Sequence, residues 1–115
     1  MKKLLLTIVQ VKRIDFDDCT ATIDEFSEDM LAKAAQSSLE IGGFVIPPTL
    51  LRTGSELNPS YHILVGHFQC YAALRAYKLE PLRGETIPAV VIRDDDPKLD
   101  LLMYQLNYIT NGGNS

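Results

Sequence analysis

The sequence predicts a small α+β domain, a mixed sheet packed with about three helices. Three observations predict it. Short β-branched apolar runs alternate with stretches whose apolar residues fall at helical spacing. Glycine and proline punctuate each change of periodicity. The 115 residues, 46% apolar and 23% charged, hold no repeat and no low-complexity tract, which describes one domain with a single hydrophobic core and no need of a disulfide framework or structural metal.

The elements follow in order. Lys3 to Val11 is apolar and β-branched enough for a strand, and the polar Asp15-Phe16-Asp17-Asp18 behind it reads as a turn or loop. Thr20 to Ile23 can return as a short second strand. Ser27 is then a candidate N-cap, with Glu28 and Asp29 in the first turn where the helix dipole favours acids. Leu31, Ala34, Ala35 and Ser38 continue at helical spacing, and Gly42-Gly43 ends the helix. Phe44-Val45-Ile46 is apolar, Pro47-Pro48 removes two successive backbone donors, and Thr49 to Arg52 resumes an extended course.

Gly54 to Ser60, with Asn58-Pro59, reads as a loop. Tyr61 to Val65 is the next strand and Gly66 to Tyr77 the next helix, apolar around more than one face and so expected to be buried. Pro81 to Thr86 is a polar connection. Ile87 to Ile92 is a strand whose near-continuous apolar run predicts cover on both faces. Asp94-Asp95-Asp96-Pro97 predicts an N-cap with proline at the first helical position, followed by Leu99, Leu102, Met103 and Leu106 at helical spacing.

The net charge of −4 argues against coating DNA through a broad basic face, which draws on clustered Lys and Arg. The acids Asp15, Asp17, Asp18, Asp24, Glu25, Glu28 and Asp29 crowd the first half, whereas Arg52, Arg75, Lys78, Arg83 and Arg93 lie in the second. The opening MKKLLLTIVQVKR has the look of a secretory leader, but Gln10 and Lys12-Arg13 interrupt it and no small-residue cleavage site follows. No run approaches the roughly 18 apolar residues of a membrane-crossing helix. Cys19 and Cys70 form neither a CxxC nor a disulfide ladder, so a reducing cytoplasm is expected.

Three features stand in order: a helix ending in Gly42-Gly43-Phe44-Val45-Ile46-Pro47, a strand running into Gly66-His67-Phe68-Gln69-Cys70-Tyr71-Ala72-Ala73, and the strand Ile87-Pro88-Ala89-Val90-Val91-Ile92. This order resembles the N-terminal domain of the ParB family, whose fold is that of sulfiredoxin. The resemblance covers about residues 23–110. It leaves 1–22 as an N-terminal strand and loop and 111–115 as a frayed tail. It implies a nucleotide site, CTP or ATP with Mg²⁺, at Gly43, Pro47, Gly66, His67, Phe68 and Gln69.

The physics of the middle element is general. A glycine between strand and helix lets the backbone approach a ligand, and the free N–H groups of the first helical turn face an anion with the helix dipole behind them. In the family an arginine three residues after the glycine holds the phosphates; that position is Gln69, which can hydrogen-bond but not neutralise. The family's N-x-x-R element is best matched by Asn107-Tyr108-Ile109-Thr110, with threonine in place of arginine. Ile46 stands where a polar residue is usual. The sulfiredoxin cysteine, which directly follows the glycine, has no counterpart: His67 holds that position, and Cys70 lies farther along the helix.

His67 is the one catalytic candidate, as a general base or phosphate contact, against a plain role closing the turn. Cys70 reads as a packed helix residue. Asp94 to Asp96 reads as a helix cap and solvated loop rather than a magnesium site. His62 lies inside a strand with no evident acidic partner and reads as structural; with two histidines and no paired cysteines, zinc has no support.

The resemblance implies a binding or regulatory module linked to DNA or to plasmid or chromosome maintenance, with a pocket impaired for catalysis. A nucleic acid, a DNA-maintenance protein and a second copy are the partners in view, and no membrane. Too few residues follow Ile92 for a helix-turn-helix, so operator recognition by this chain alone is not expected. One alternative is an enzyme, a CTPase, phosphotransferase or nuclease built on the Gly66 helix start, with Arg52 or Arg93 supplying the missing charge. Another is a pure protein-interaction module.

Overall fold

The computed structural model describes residues 6–16 and 26–110, and side chains as far as residue 106. The expected strand at Thr20 to Ile23, Cys19, the side chains of Asn107 to Thr110 and the tail 111–115 lie outside the described residues.

Two edge strands separated by a short turn set the shape of the sheet. β1 (Leu6–Gln10) leads through a 3-10 turn (Val11–Arg13) into β2 (Ile14–Asp15). Then come α1 (Glu28–Ile41), β3 (Thr49–Gly54), β4 (Pro59–Val65), α2 (His67–Leu79), β5 (Thr86–Arg93) and α3 (Leu99–Thr110). The sheet order is β1-β5-β3-β4-β2. The outer pairs differ in sense, β1 antiparallel to β5 and β2 parallel to β4, and the inner pairs are β5–β3 parallel and β3–β4 antiparallel. In a flat sheet the edge strands would stand about 19 Å apart, at about 4.8 Å per strand. The 3-10 turn spans only about 6 Å. The sheet therefore curls until its edges meet at Val11–Arg13, and Arg13 stitches them, donating to Asn58 Oδ1 at 2.8 Å and Gln10 Oε1 at 3.2 Å.

The curl encloses the core. Val9, Val11, Ile14, Leu50, Tyr61, Ile87 and Ala89 point inward, and α2 closes the opening with Cys70 and Ala73. Alanines make this possible: Ala72, Ala73 and Ala76 are buried on different sides of α2 and let the helix lie close to the sheet and to α1 at once. Cys70 is fully buried in this core, as its packed reading requires. Ser27 caps α1, accepting from Met30 N, and Gly42 ends it at φ 80°. Along β5, Ile87 and Ala89 are buried on one face and Ile92, of opposite parity, is buried too, so its far half is covered on both sides.

Four boundaries differ from the sequence reading. The first strand stops at Gln10, because Val11 turns inward and donates to Glu85 O at 2.9 Å. Asp15, expected in a loop, is in β2, paired with His62. The expected loop 54–60 shortens because Gly54 pairs with Pro59, a proline tolerated as the first residue of a strand. Pro97 does not open a helix: Leu99 N donates to Asp96 O in a turn, Asp96 Oδ1 accepts from Lys98 N at 2.8 Å, and α3 begins at Leu99.

Candidate functional site

The joint between β4 and α2 brings most of the sequence-derived site together. Gly66 adopts φ 96°, a left-handed conformation that turns the chain from strand to helix in one residue. Its Cα face is not open to a ligand. A Cβ there would lie 2.9 Å from Cα and Cβ of Pro48, so the close approach that needs glycine is to the chain's own proline. Gly43 repeats the arrangement: a Cβ would lie 3.0 Å from Cδ and Cγ of Pro88. Pro48 and Pro88 sit at the starts of neighbouring strands, where Val90 N donates to Pro48 O at 2.9 Å. The two glycines and two prolines thus lock the 42–48 segment and the start of α2 onto one end of the sheet.

Gln69 completes the lock. Its Nε2 donates to Ile46 O at 2.9 Å, tying the first turn of α2 to the same segment. Among the described residues no side chain caps the N-terminal N–H groups of α2, and such groups suit an anion. Charge is what the turn lacks, since His67, Phe68 and Gln69 carry no cation of the arginine kind. No hydrogen bond or ion pair to another described residue engages the half-buried imidazole of His67. Phe68 turns away: its ring meets Phe26 edge-on with centroids 5.4 Å apart, beside Leu31 and Tyr71. Pro47 is half-buried beside the latch, whereas Val45 and Ile46 stand 90% and 71% exposed.

Neither arginine offered as a substitute charge reaches this end. Arg52 lies alongside Arg93, three residues along β3 from Thr49, about 10 Å from the joint. Arg93 is engaged by Asp95, at 3.1 Å from both Nε and Nη2. With Asp96 capping the turn and Asp94 N bonded to Arg52 O, the three aspartates serve separate local contacts. Among the described residues no three His, Cys, Asp or Glu side chains converge to hold a metal ion. A cavity of about 170 Å³ lies beside Gly43, between Ser38, Leu39, Arg83, Gly84 and Pro88. Arg83 there already donates to Leu39 O at 2.7 Å and pairs with Glu80 at 3.0 Å.

The sequence missed one grouping. His62 has Asp15 Oδ2 3.6 Å from Nδ1 and Thr53 Oγ1 3.1 Å from Nε2. Its acidic partner arrives by the parallel β2–β4 pairing, between residues far apart in the chain, which local patterning does not reveal.

No family model matches the chain, and no curated protein does. A solved structure does match, the C-terminally truncated chromosome-partitioning protein ParB from Caulobacter crescentus complexed with CTP-γ-S. The identity is 21% and the TM-score 0.58, over 96% of this chain and 54% of that one, so the chain spans about half the length of its structural neighbour. The likeness shows the fold: a mixed sheet and three helices in the ParB-like α+β arrangement. No described helix is long and apolar enough to cross a membrane.

Proposed function

We propose that this chain is a binding or regulatory module on a ParB-like fold, serving DNA or chromosome maintenance, in which the nucleotide seat is latched and uncharged and does not hydrolyse nucleotide. The observation that carries the reading is the contact of Gln69 Nε2 with Ile46 O. The position that would extend a cation toward a phosphate is spent on the chain's own backbone. The uncapped N–H groups of α2 fit a phosphate oxygen. The side chains around them do not fit a triphosphate with its magnesium, for want of cations and of converging carboxylates among the described residues. A bound nucleotide would bring charge to be neutralised, and His67, Phe68 and Gln69 include no lysine or arginine to do so.

Calorimetric titration with CTP and with ATP, each with Mg²⁺, tests this. Millimolar or weaker binding is expected from the natural chain. Gln69→Arg should tighten it about tenfold or more, the worth of a charge-assisted hydrogen bond. Micromolar binding of CTP that Gln69→Ala abolishes would overturn the latched reading. The nucleic-acid link is tested by gel shift over a range of salt, and the absence of a complex even at low ionic strength would end it.

The exposed Val45 and Ile46 favour a second reading, a protein-interaction module that uses this apolar tip. Val45→Asp would then abolish capture of a DNA-maintenance protein while leaving Gln69 and the fold untouched.

A further inference from the structure

Asp15, His62 and Thr53 come from β2, β4 and β3, three neighbouring strands, so sheet register aligns them. Asp15 pairs directly with His62, and Thr53, opposite Ser60, lies diagonal to it. By strand alternation all three stand on the face opposite to the buried Ile14, Tyr61 and Leu50. The side chains of His62 and Asp15 are 34% and 31% exposed, so the group is open to solvent yet held on both sides. A carboxylate beside Nδ1 favours the tautomer protonated there. The lone pair of Nε2 then faces the Thr53 hydroxyl at 3.1 Å. His62 is three residues before Val65, about 10 Å along β4 from the Gly66 joint, so the group is separate from the nucleotide-type seat.

We propose that Thr53 is an activated nucleophile toward activated carboxylic esters, with His62 as its general base and Asp15 as the residue that positions the imidazole. The Thr53 Oγ1 attacks the acyl carbon while its proton passes to His62 Nε2. The bond to the alkoxide or phenolate leaving group breaks, and the imidazolium returns that proton to it. Water, deprotonated by the same nitrogen, then attacks the acyl-threonine, releasing the carboxylic acid and restoring the hydroxyl. Base, hydroxyl and orienting acid stand in the order such a transfer needs.

The test uses the full chain and p-nitrophenyl acetate, reading p-nitrophenolate release and, by peptide mass spectrometry, the site of acetylation. Release above the solvent rate is expected, with the acetyl group on Thr53. Thr53→Ser should keep both, and Thr53→Val should lose both with an unchanged circular-dichroism spectrum. His62→Gln should slow release about 100-fold, within the range for loss of a general base. Asp15→Asn should slow it less, and Asp15→Glu should restore part of that loss, which a merely structural aspartate would not do. Release from a folded Thr53→Val protein equal to the natural one overturns the proposal. So does acetyl found on His62 or lysines and not on Thr53. Should Thr53→Val not fold, an undiminished rate in His62→Gln overturns it equally.

Discussion

α2 is pinned at both ends by a glycine, but the two glycines are there for different reasons. At its start, Gly66 combines a left-handed φ of 96° with a contact that a Cβ would make at 2.9 Å with Pro48. At its end, Gly84 has no unusual φ; a Cβ there would lie 2.7 Å from the backbone of Ala76 and Tyr77. One position needs glycine for conformation and space together, the other for space alone. A glycine at a change of periodicity is thus visible in the sequence, whereas one that admits a neighbouring helix is visible only once the helix is in place.

The largest effect is expected at the start. Gly66→Ala carries the left-handed penalty and a clash with a proline held by the sheet, together about 3 kcal/mol. Denaturant unfolding measures it. Gly66→Asn sharpens the comparison, because asparagine tolerates the left-handed region but still needs room for a Cβ. If Asn costs as little as a few tenths of a kcal/mol, the contact with Pro48 yields and conformation alone demands glycine; a cost close to that of Ala makes space the governing term. At the other end, Gly84→Ala should cost about 2 kcal/mol, from overpacking against backbone that cannot rotate away. A neutral result there would mean that the 80–85 connection swings freely from α2, and the two ends would no longer be alike in their packing.

The same distinction explains what was legible. The α+β class, α1 with its Ser27 cap and Gly42 stop, and the Gly66 joint all follow from local periodicity and punctuation, and each stands where the residues put it. Two of the misplaced boundaries share one cause. Asp15 joins a strand of two residues because β4 offers it an edge, and Pro59 enters β4 because Gly54 faces it; no local pattern encodes either. Asp94 to Pro97, read as a helix cap, forms a turn instead, since an aspartate followed by proline opens a turn as readily as a helix. In the site, the structure brings Gly66 and Gln69 against the 42–48 segment that carries Gly43 and Pro47. That the glycines face prolines, and that Gln69 binds Ile46 O, depended on the folding of 42–48 across the sheet end.

Smaller than either glycine is the latch. Gln69→Ala removes a neutral hydrogen bond on a partly exposed surface, worth about 1 kcal/mol, a fall of several degrees in Tm for a domain of this size. Measured beside Gly66→Ala, it separates the two fastenings of the helix start. If the double variant loses less than the sum of the two single losses, joint and latch hold each other in place, as residues of one network do. Strict additivity would make Gln69 a late addition to a joint already set by the glycine and proline.

Between its pinned ends α2 is also held by charge, and this is the smallest effect of the series. Arg75 donates to both carboxylate oxygens of Glu28 in the first turn of α1, with Nη2 to Oε1 at 3.0 Å. The hydrogen bond from Arg75 holds the Glu28 carboxyl below its ordinary range; desolvation opposes this, and the guanidinium charge adds to it. A carboxyl whose pKa is lower in the folded chain than in the unfolded one contributes stability above its unfolded pKa, and that contribution is lost as pH falls through the folded value. Glu28→Gln should therefore lower the unfolding midpoint slightly at neutral pH and leave it equal to that of the natural chain in strong acid. Because the carboxylate is exposed, added salt should shrink the difference at neutral pH, whereas the losses at Gly66 and Gly84 should be indifferent to salt. A Glu28→Gln difference that persisted in acid or in high salt would show that the contact acts through packing of the arginine stem, and α2 would then be held by shape along its whole length.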